Sequence, residues 1–291
     1  MRVALRIEVG TVRGLREGVP NLMRLFSEFQ VRASFFFPLG RDLSGRRPCH
    51  TWRDRSALGL PALAYGTFLP GPDLAPESLR LLRLARDNGH DVGLFGMSPV
   101  RWATRLAHAE APWVERQYAR MIETYASVGD GRAIGLATPD WQVHPALLAA
   151  LEPSRFSYTS FGRGKYPYLP QLQGQRSAVP EIPTTLPSVD EMLRQPGVSP
   201  DNVHEYLYAE SRTVLPAGHV FSASAEHEGL ARLPLMEKLL VMWKGQEGAL
   251  RALGDMLSEI DTATLPHHQV GWGTVAGRDG HVAMQSVQVP T

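Results

Sequence analysis

Two carboxylates in this 291-residue chain stand where proton chemistry is conceivable: Glu8, ending an alternating strand-like stretch, and Asp140, in the turn Ala137-Thr-Pro-Asp-Trp-Gln142. Neighbouring carboxylates can push their pKa values apart and serve as an acid and a base. A third group lies in Val220-Phe-Ser-Ala-Ser-Ala-Glu226-His-Glu228, where period-two geometry puts Ser224 and Glu226 on one face. Glu226, His227 and Glu228 carry oxygen and nitrogen donors of the kind a divalent cation accepts, although exposed loop positions or structural hydrogen bonds account for them as well. Arg13, Arg16 and Glu17 crowd one polar turn. Their guanidinium forks suit phosphate or carboxylate, and equally suit tying the turn to Glu17 or a nearby helix. No Gly-x-Ser-x-Gly elbow occurs, and the single cysteine, Cys49, excludes an intrachain disulfide and a cysteine-based zinc site. His267-His268 falls in a weakly patterned tail and reads as a surface pair.

The elements that must position these groups alternate. Val3 to Val9 reads as a strand, Thr11 to Glu17 as a polar turn, Pro20 to Phe29 as a helix with Leu22, Leu25, Phe26 and Phe29 on one face, and Ala33 to Leu39 as a buried strand. Arg41 to Pro72 is irregular. Helices are expected at Pro76–Asn88, Trp113–Val128, Pro145–Leu151, Asn202–Arg212, Leu233–Lys244 and Glu247–Glu259, with strands at Asp91–Phe95, Ile134–Ala137, Phe156–Thr159 and Val220–Ala225. Arg163 to Pro187 is a Tyr- and Pro-rich excursion, and no periodicity is clear beyond Pro266. Strand–helix alternation over this length suits one α/β domain built like a barrel.

The blocks Leu5-Arg-Ile-Glu-Val-Gly-Thr-Val-Arg-Gly-Leu-Arg-Glu-Gly-Val-Pro20, Ala33-Ser-Phe-Phe-Phe37, His90-Asp-Val-Gly-Leu94, Glu181-Ile-Pro-Thr-Thr-Leu-Pro187 with Asp190-Glu191, and Ala225-Glu-His-Glu-Gly229 resemble the polysaccharide-deacetylase (carbohydrate esterase family four) superfamily. The likeness is strongest to bacterial deformylases of lipid-linked formamido-arabinose. It implies an α/β fold, a distorted (β/α) barrel over residues 1–262, with a tail at 263–291 that is partly mobile or forms an interface. It also implies N-acyl hydrolysis assisted by a divalent metal, and here the sequence departs from the pattern. The family's Asp-x-Asp is replaced by Glu8 and Gly10, and its two histidines by Phe95 and Pro99. Trp141 stands nearest the arginine that orients the base, and Ser224 stands in place of the histidine acid. With all three protein ligands gone, no metal, no cofactor and no family hydrolysis are expected.

The reading that follows is a catalytically inactive deacetylase-like or deformylase-like pseudoenzyme. It would work as a binding or regulatory subunit beside an active paralogue, holding a lipid-linked sugar or other anionic ligand through Arg13, Arg16 and Glu226. The alternative is repurposed, metal-independent chemistry by Glu8 and Asp140 in a pocket made apolar by Phe95, Met97, Trp102 and Trp141. Thirty basic residues against 29 acidic ones give a formal charge of +1, which gives no reason to expect nucleic acid as the main partner. No apolar run approaches the roughly 20 residues of a membrane span, so a cytoplasmic protein is expected, with peripheral contact at the inner membrane. Ala57 to Leu69 reads either as an interfacial hairpin or as a packed loop, and Gly59, Pro61 and Gly66 argue against a regular amphipathic helix there.

Overall fold

The computed structural model describes residues 2–127, 135–245 and 249–290. Val128, Ile134 and Glu247, which bound three of the expected elements, lie outside the described residues. In chain order the elements are β1 (Arg2–Glu8), α1 (Val19–Glu28), β2 (Ser34–Phe37), α2 (Pro48–Arg53), α3 (Arg55–Leu58), α4 (Ala75–Asp87), β3 (Asp91–Leu94), α5 (Pro99–Arg105), α6 (Ala111–Ala126), β4 (Gly135–Ala137), α7 (Pro145–Ala149) and β5 (Tyr158–Ser160). They continue with β6 (Leu169–Leu172), β7 (Gln175–Arg176), α8 (Val189–Leu193), α9 (Val203–Ser211), β8 (His219–Ser224), α10 (Leu233–Gly245), β9 (Ala249–Arg251), α11 (Leu253–Ser258), β10 (His267–Gly273) and β11 (Val282–Val289).

The main sheet is parallel and runs β5-β4-β3-β2-β1-β8, with β9 on the N-terminal half of β1. Its strands are short and buried on both faces, as parallel strands sandwiched between helices and an interior must be. The sheet curls without closing. The opening between β5 and β8 is spanned by the chain from Pro180 to Leu186. Ile182 N bonds to Thr159 O, Thr159 N to Pro180 O, and both Thr185 N and Leu186 N to Val220 O. Prolines 180, 183 and 187 keep this bridge from becoming a ladder strand, so the barrel is distorted, as expected.

Two cores follow from the curl. Outside it, α1 buries Val19, Leu22, Met23, Leu25 and Phe26 against the sheet, and the other helices do the same. Inside it, Ala4, Phe36, Tyr158, Ile182 and Val220 pack on Leu253 and Met256 of α11, which plugs one end. Because β1 alternates, Ala4, Arg6 and Glu8 share a face and climb from that plug to the open C-terminal mouth.

Four local expectations change. Thr11 to Glu17 is not a turn: Gly14–Gly18 forms a π-helical turn leading directly into α1. Gly18 permits this, since a Cβ there would sit 1.9 Å from Ala225 O. The last expected helix is divided, with β9 preceding a shorter α11, because pairing with β1 outweighs local helix preference. The Arg163 to Pro187 excursion contains the β6–β7 hairpin. The tail beyond Pro266 folds back as the β10–β11 hairpin, with β10 parallel to β6. Weak apolar alternation hid that hairpin, whose stability comes from pairing distant in sequence.

Candidate functional site

The mouth of the barrel opens into a cleft of about 840 Å³. It lies at the C-terminal ends of the strands, where barrel folds carry their chemistry. Glu8, Gly10, Phe95, Pro99, Asp140, Trp141, Ser224 and Glu226 all line it, so the fold brings together the positions singled out in the sequence. A Cβ built on Gly10 would lie 4.0 Å from the Pro99 Cβ and 3.7 Å from Glu226 Oε1.

At the base of the cleft is Arg6, fully buried, a residue the motif comparison passed over. Its guanidinium bonds to the Glu8 carboxylate, to Ser222 Oγ at 2.8 Å, and to the carbonyls of Thr138 and Ser160 at 3.3 Å. The rings of Phe36, Phe95 and Trp141 surround it at 5.5, 5.9 and 5.7 Å. Phe95, standing at a former histidine position, thus supplies a face to a cation. Burial lowers the Arg6 pKa to about 9, with Glu181 opposing that fall, so the group remains charged at neutral pH. Glu8 also accepts from Ser222 Oγ at 3.1 Å. Two opposite charges, Arg6 and Glu8, two residues apart on one face of the strand were the sequence signal for this pair.

Glu226 is equally committed. Its Oε1 accepts from Gly10 N, Thr11 N and Thr11 Oγ1 at 2.8, 2.9 and 3.0 Å, and its Oε2 from Ser224 Oγ at 2.8 Å. The carboxylate thereby fixes the Gly10–Thr11 backbone just before the π-helical turn, and it fills the space a side chain on Gly14 would enter, 2.1 Å from a Cβ there. Ser224 shapes a turn, with its Oγ accepting from Glu226 N and lying 3.3 Å from His227 Nδ1. Glu228 accepts from Ser224 N and pairs with Arg232, which also pairs with Asp190.

The far wall is a second ion-pair web. Asp140 and Trp141 are consecutive left-handed residues, with φ of 54° and 49°. Such conformations cost about 1–3 kcal/mol each and persist only when surroundings enforce them. Here Arg47 and Arg278 grip Asp140 at 3.0 and 2.6 Å, and Trp141 Nε1 donates to Thr184 Oγ1 at 3.0 Å. Arg163 and Arg278 stack on the indole at 4.8 and 4.5 Å and both pair with Glu191. Arg278 arrives from the turn of the C-terminal hairpin, a contribution the sequence pattern did not reveal; the flanking Gly277 and Gly280, both at positive φ, were its one signal.

Other candidates are placed elsewhere. Arg13 and Arg16 do not line the cleft. Arg13 pairs with Glu17 and donates to Ser56 O and Ala57 O, strapping the first helix to the Arg41–Pro72 segment. The ligand role expected of the two arginines therefore does not correspond to their position. Met97 and Trp102 belong to the outer core rather than the cleft. His268 is buried against Tyr166 and Tyr168 in the tail hairpin, so it is no surface residue.

The residues at the former metal positions do not fit a divalent cation. Gly10, Phe95 and Pro99 bring no side-chain donor, Glu8 Oε1 is held by Arg6 and Ser222, and both Glu226 oxygens are taken by hydroxyl and backbone groups. Among the described residues no three His, Cys, Asp or Glu side chains are grouped to hold a metal ion.

Glu181, in the bridge between β5 and β8, is buried and accepts from Thr159 Oγ1, Phe161 N and Gly162 N. Burial, partly offset by these bonds, raises its pKa from 4.5 to about 7. The folded chain therefore holds a proton that the unfolded chain releases, and stability falls as pH climbs from 4.5 to about 7. Glu181→Gln should remove this fall, a slope of up to about 1.4 kcal/mol per pH unit. Urea unfolding at several pH values tests it: parent and variant should match at low pH, and the variant should be the more stable above neutrality.

Curl, bridge and mouth together define the class: this is the polysaccharide-deacetylase fold. A structure from Mycobacterium smegmatis described as a "putative polysaccharide deacetylase" superposes with a TM-score of 0.61 at 16% identity, covering 94% of each chain. A "probable polysaccharide deacetylase" from Pseudomonas aeruginosa PAO1 gives 0.58 at 14% identity, over 88% of this chain and 89% of that one. A CE4-family pseudoenzyme from Bacillus anthracis gives 0.50 at 13% identity, over 92% of this chain and 69% of its own. In sequence, the chain is similar to proteins named "Probable 4-deoxy-4-formamido-L-arabinose-phosphoundecaprenol deformylase". That of Shewanella sediminis is 27% identical, over 99% of this chain and 96% of its own length. That of Wigglesworthia glossinidia brevipalpis is 24% identical, over 94% and 98%. No protein-family profile matches the chain.

Proposed function

We propose that this chain is a deacetylase-like, deformylase-like pseudoenzyme, and that it acts as a binding or regulatory subunit for an active glycolipid or amino-sugar deacylase. The observation that carries this reading is that Gly10, Phe95 and Pro99 bring no side-chain donor to the cleft, while the carboxylates beside them, Glu8 and Glu226, are bonded to Arg6, Ser222, Ser224 and backbone N–H groups. A preserved barrel with a preserved cleft still offers a shaped surface. The relatives' printed names point to an undecaprenyl-phosphate-linked amino sugar as the ligand class. A neighbour of the same fold is itself described as a pseudoenzyme.

No helix among the described residues is long and apolar enough to cross a membrane. The lipid-linked substrate in the relatives' printed names supports a cytoplasmic protein working peripherally at the inner membrane. The partner is tested by affinity capture of the tagged chain at native expression, with mass spectrometry of what accompanies it. Recovery of a hydrolase of the same fold with an intact metal motif is the expected result. Reproducible capture without any such protein would remove the subunit reading.

A further inference from the structure

The segment from Arg41 to Pro72 contributes to the wall of the cleft, and it carries four large, exposed apolar side chains. Phe68 is 91% exposed, Leu60 65%, Trp52 57% and Leu69 52%. These side chains stand on one locally packed unit. Leu69 N bonds to Ala64 O, Gly66 N to Leu69 O, and Gly45 N to Tyr65 O. Arg55 stacks over Trp52 at 4.8 Å, and Arg13 straps the unit to the first helix.

The same segment concentrates the positive charge. It holds Arg41, Arg46, Arg47, Arg53 and Arg55 against Asp42 and Asp54, a balance of +3, whereas the whole chain carries +1 and the remainder therefore −2. Asp42 is buried, and Arg41, Arg46, Arg53 and Arg55 are exposed.

We propose that this surface docks on an anionic lipid bilayer. Trp52, Leu60, Phe68 and Leu69 would enter the boundary between headgroups and acyl chains, with the four exposed arginines among the phosphates. Aromatic and aliphatic groups ringed by arginine match that boundary, where one layer is apolar and the next is negatively charged. A second copy of the chain fits less well, because a twofold contact would bring two +3 surfaces together. Thr51, Arg53, Asp54, Ser56, Ala57 and Leu58 of the unit also line the cleft, so docking sets the mouth beside the headgroups. This rests on the peripheral location given above and fails separately from the pseudoenzyme and subunit reading, since vesicle binding reports neither turnover nor partner capture.

The test is sedimentation of the full chain with phosphatidylcholine vesicles, with and without about 30% phosphatidylglycerol. Binding is expected on the anionic vesicles, little on the neutral ones, and much less in about 0.5 M salt. The Leu60→Ser/Phe68→Ser variant should lower the partition coefficient at least about tenfold. Arg53→Ser/Arg55→Ser should lower it about fivefold per arginine. Circular dichroism would verify that both variants fold. A fluorophore on Cys49, the only thiol and an exposed one, should blue-shift on anionic vesicles alone. Failure to sediment with anionic vesicles, or binding unchanged by both variants, overturns the proposal. So does a dimer in light scattering that Leu60→Ser/Phe68→Ser converts to monomer, which would assign the surface to self-association.

Discussion

Glu8→Gln is expected to destabilise the fold by about 3–5 kcal/mol, the cost of leaving a buried charge without its partner. Arg6 is 0% exposed and cannot reach water once Glu8 is neutral, and its Nε is already buried without a hydrogen-bond partner. The reverse change should cost less. Glu8 keeps 23% of its side chain exposed, so after Arg6→Met its carboxylate can be hydrated from the cleft, and a loss of about 1–3 kcal/mol follows. The double variant Arg6→Met/Glu8→Gln should recover much of the loss, since a buried pair replaced by a neutral one is often neutral in stability. Denaturant unfolding of the four proteins gives the coupling energy directly. If Glu8→Gln costs under about 1 kcal/mol, the pair is not structural and Glu8 returns as a candidate base.

The second large effect concerns the family's chemistry. After incubation with zinc, cobalt or manganese and removal of excess, the protein should retain no stoichiometric metal. It should hydrolyse N-formyl and N-acetyl amino sugars no faster than buffer. Enzymes of this kind gain on the order of 10⁶-fold or more over the uncatalysed reaction, so the two outcomes are far apart. The reason lies in the donors. Restoring a metal would require ligands at Gly10, Phe95 and Pro99 and the release of Glu226 from the three hydrogen bonds that hold the Gly10–Thr11 segment. Tight metal with turnover would overturn the pseudoenzyme reading and direct attention to Glu226, His227 and Glu228. Turnover without metal would instead favour Glu8 and Asp140, although each is now held by arginine.

The parallel α/β order was legible in the sequence, because short apolar strands and 3.6-period helices are set by neighbours along the chain. The identities at Gly10, Phe95, Pro99 and Ser224 were legible too, since a missing donor is missing in any conformation. The roles that replaced them were not. Arg6 stood within a strand read as merely alternating, and only the curl of the sheet shows it enclosed by Phe36, Phe95 and Trp141. Arg278 lies in a tail without clear periodicity and reaches Asp140 across 138 residues of sequence.

Arg13 and Arg16 stand outside the cleft lining for a related reason. The Arg13 guanidinium is taken up by Glu17 and by the carbonyls of Ser56 and Ala57, partners that only the folded chain brings to it. Sequence by itself determined the class of fold and which positions carry no side-chain donor, both properties of residue type and local period. The tertiary structure decided which charges neutralise one another. Pairing energies depend on burial and distance, and both arise only when strands remote in sequence close around a common axis.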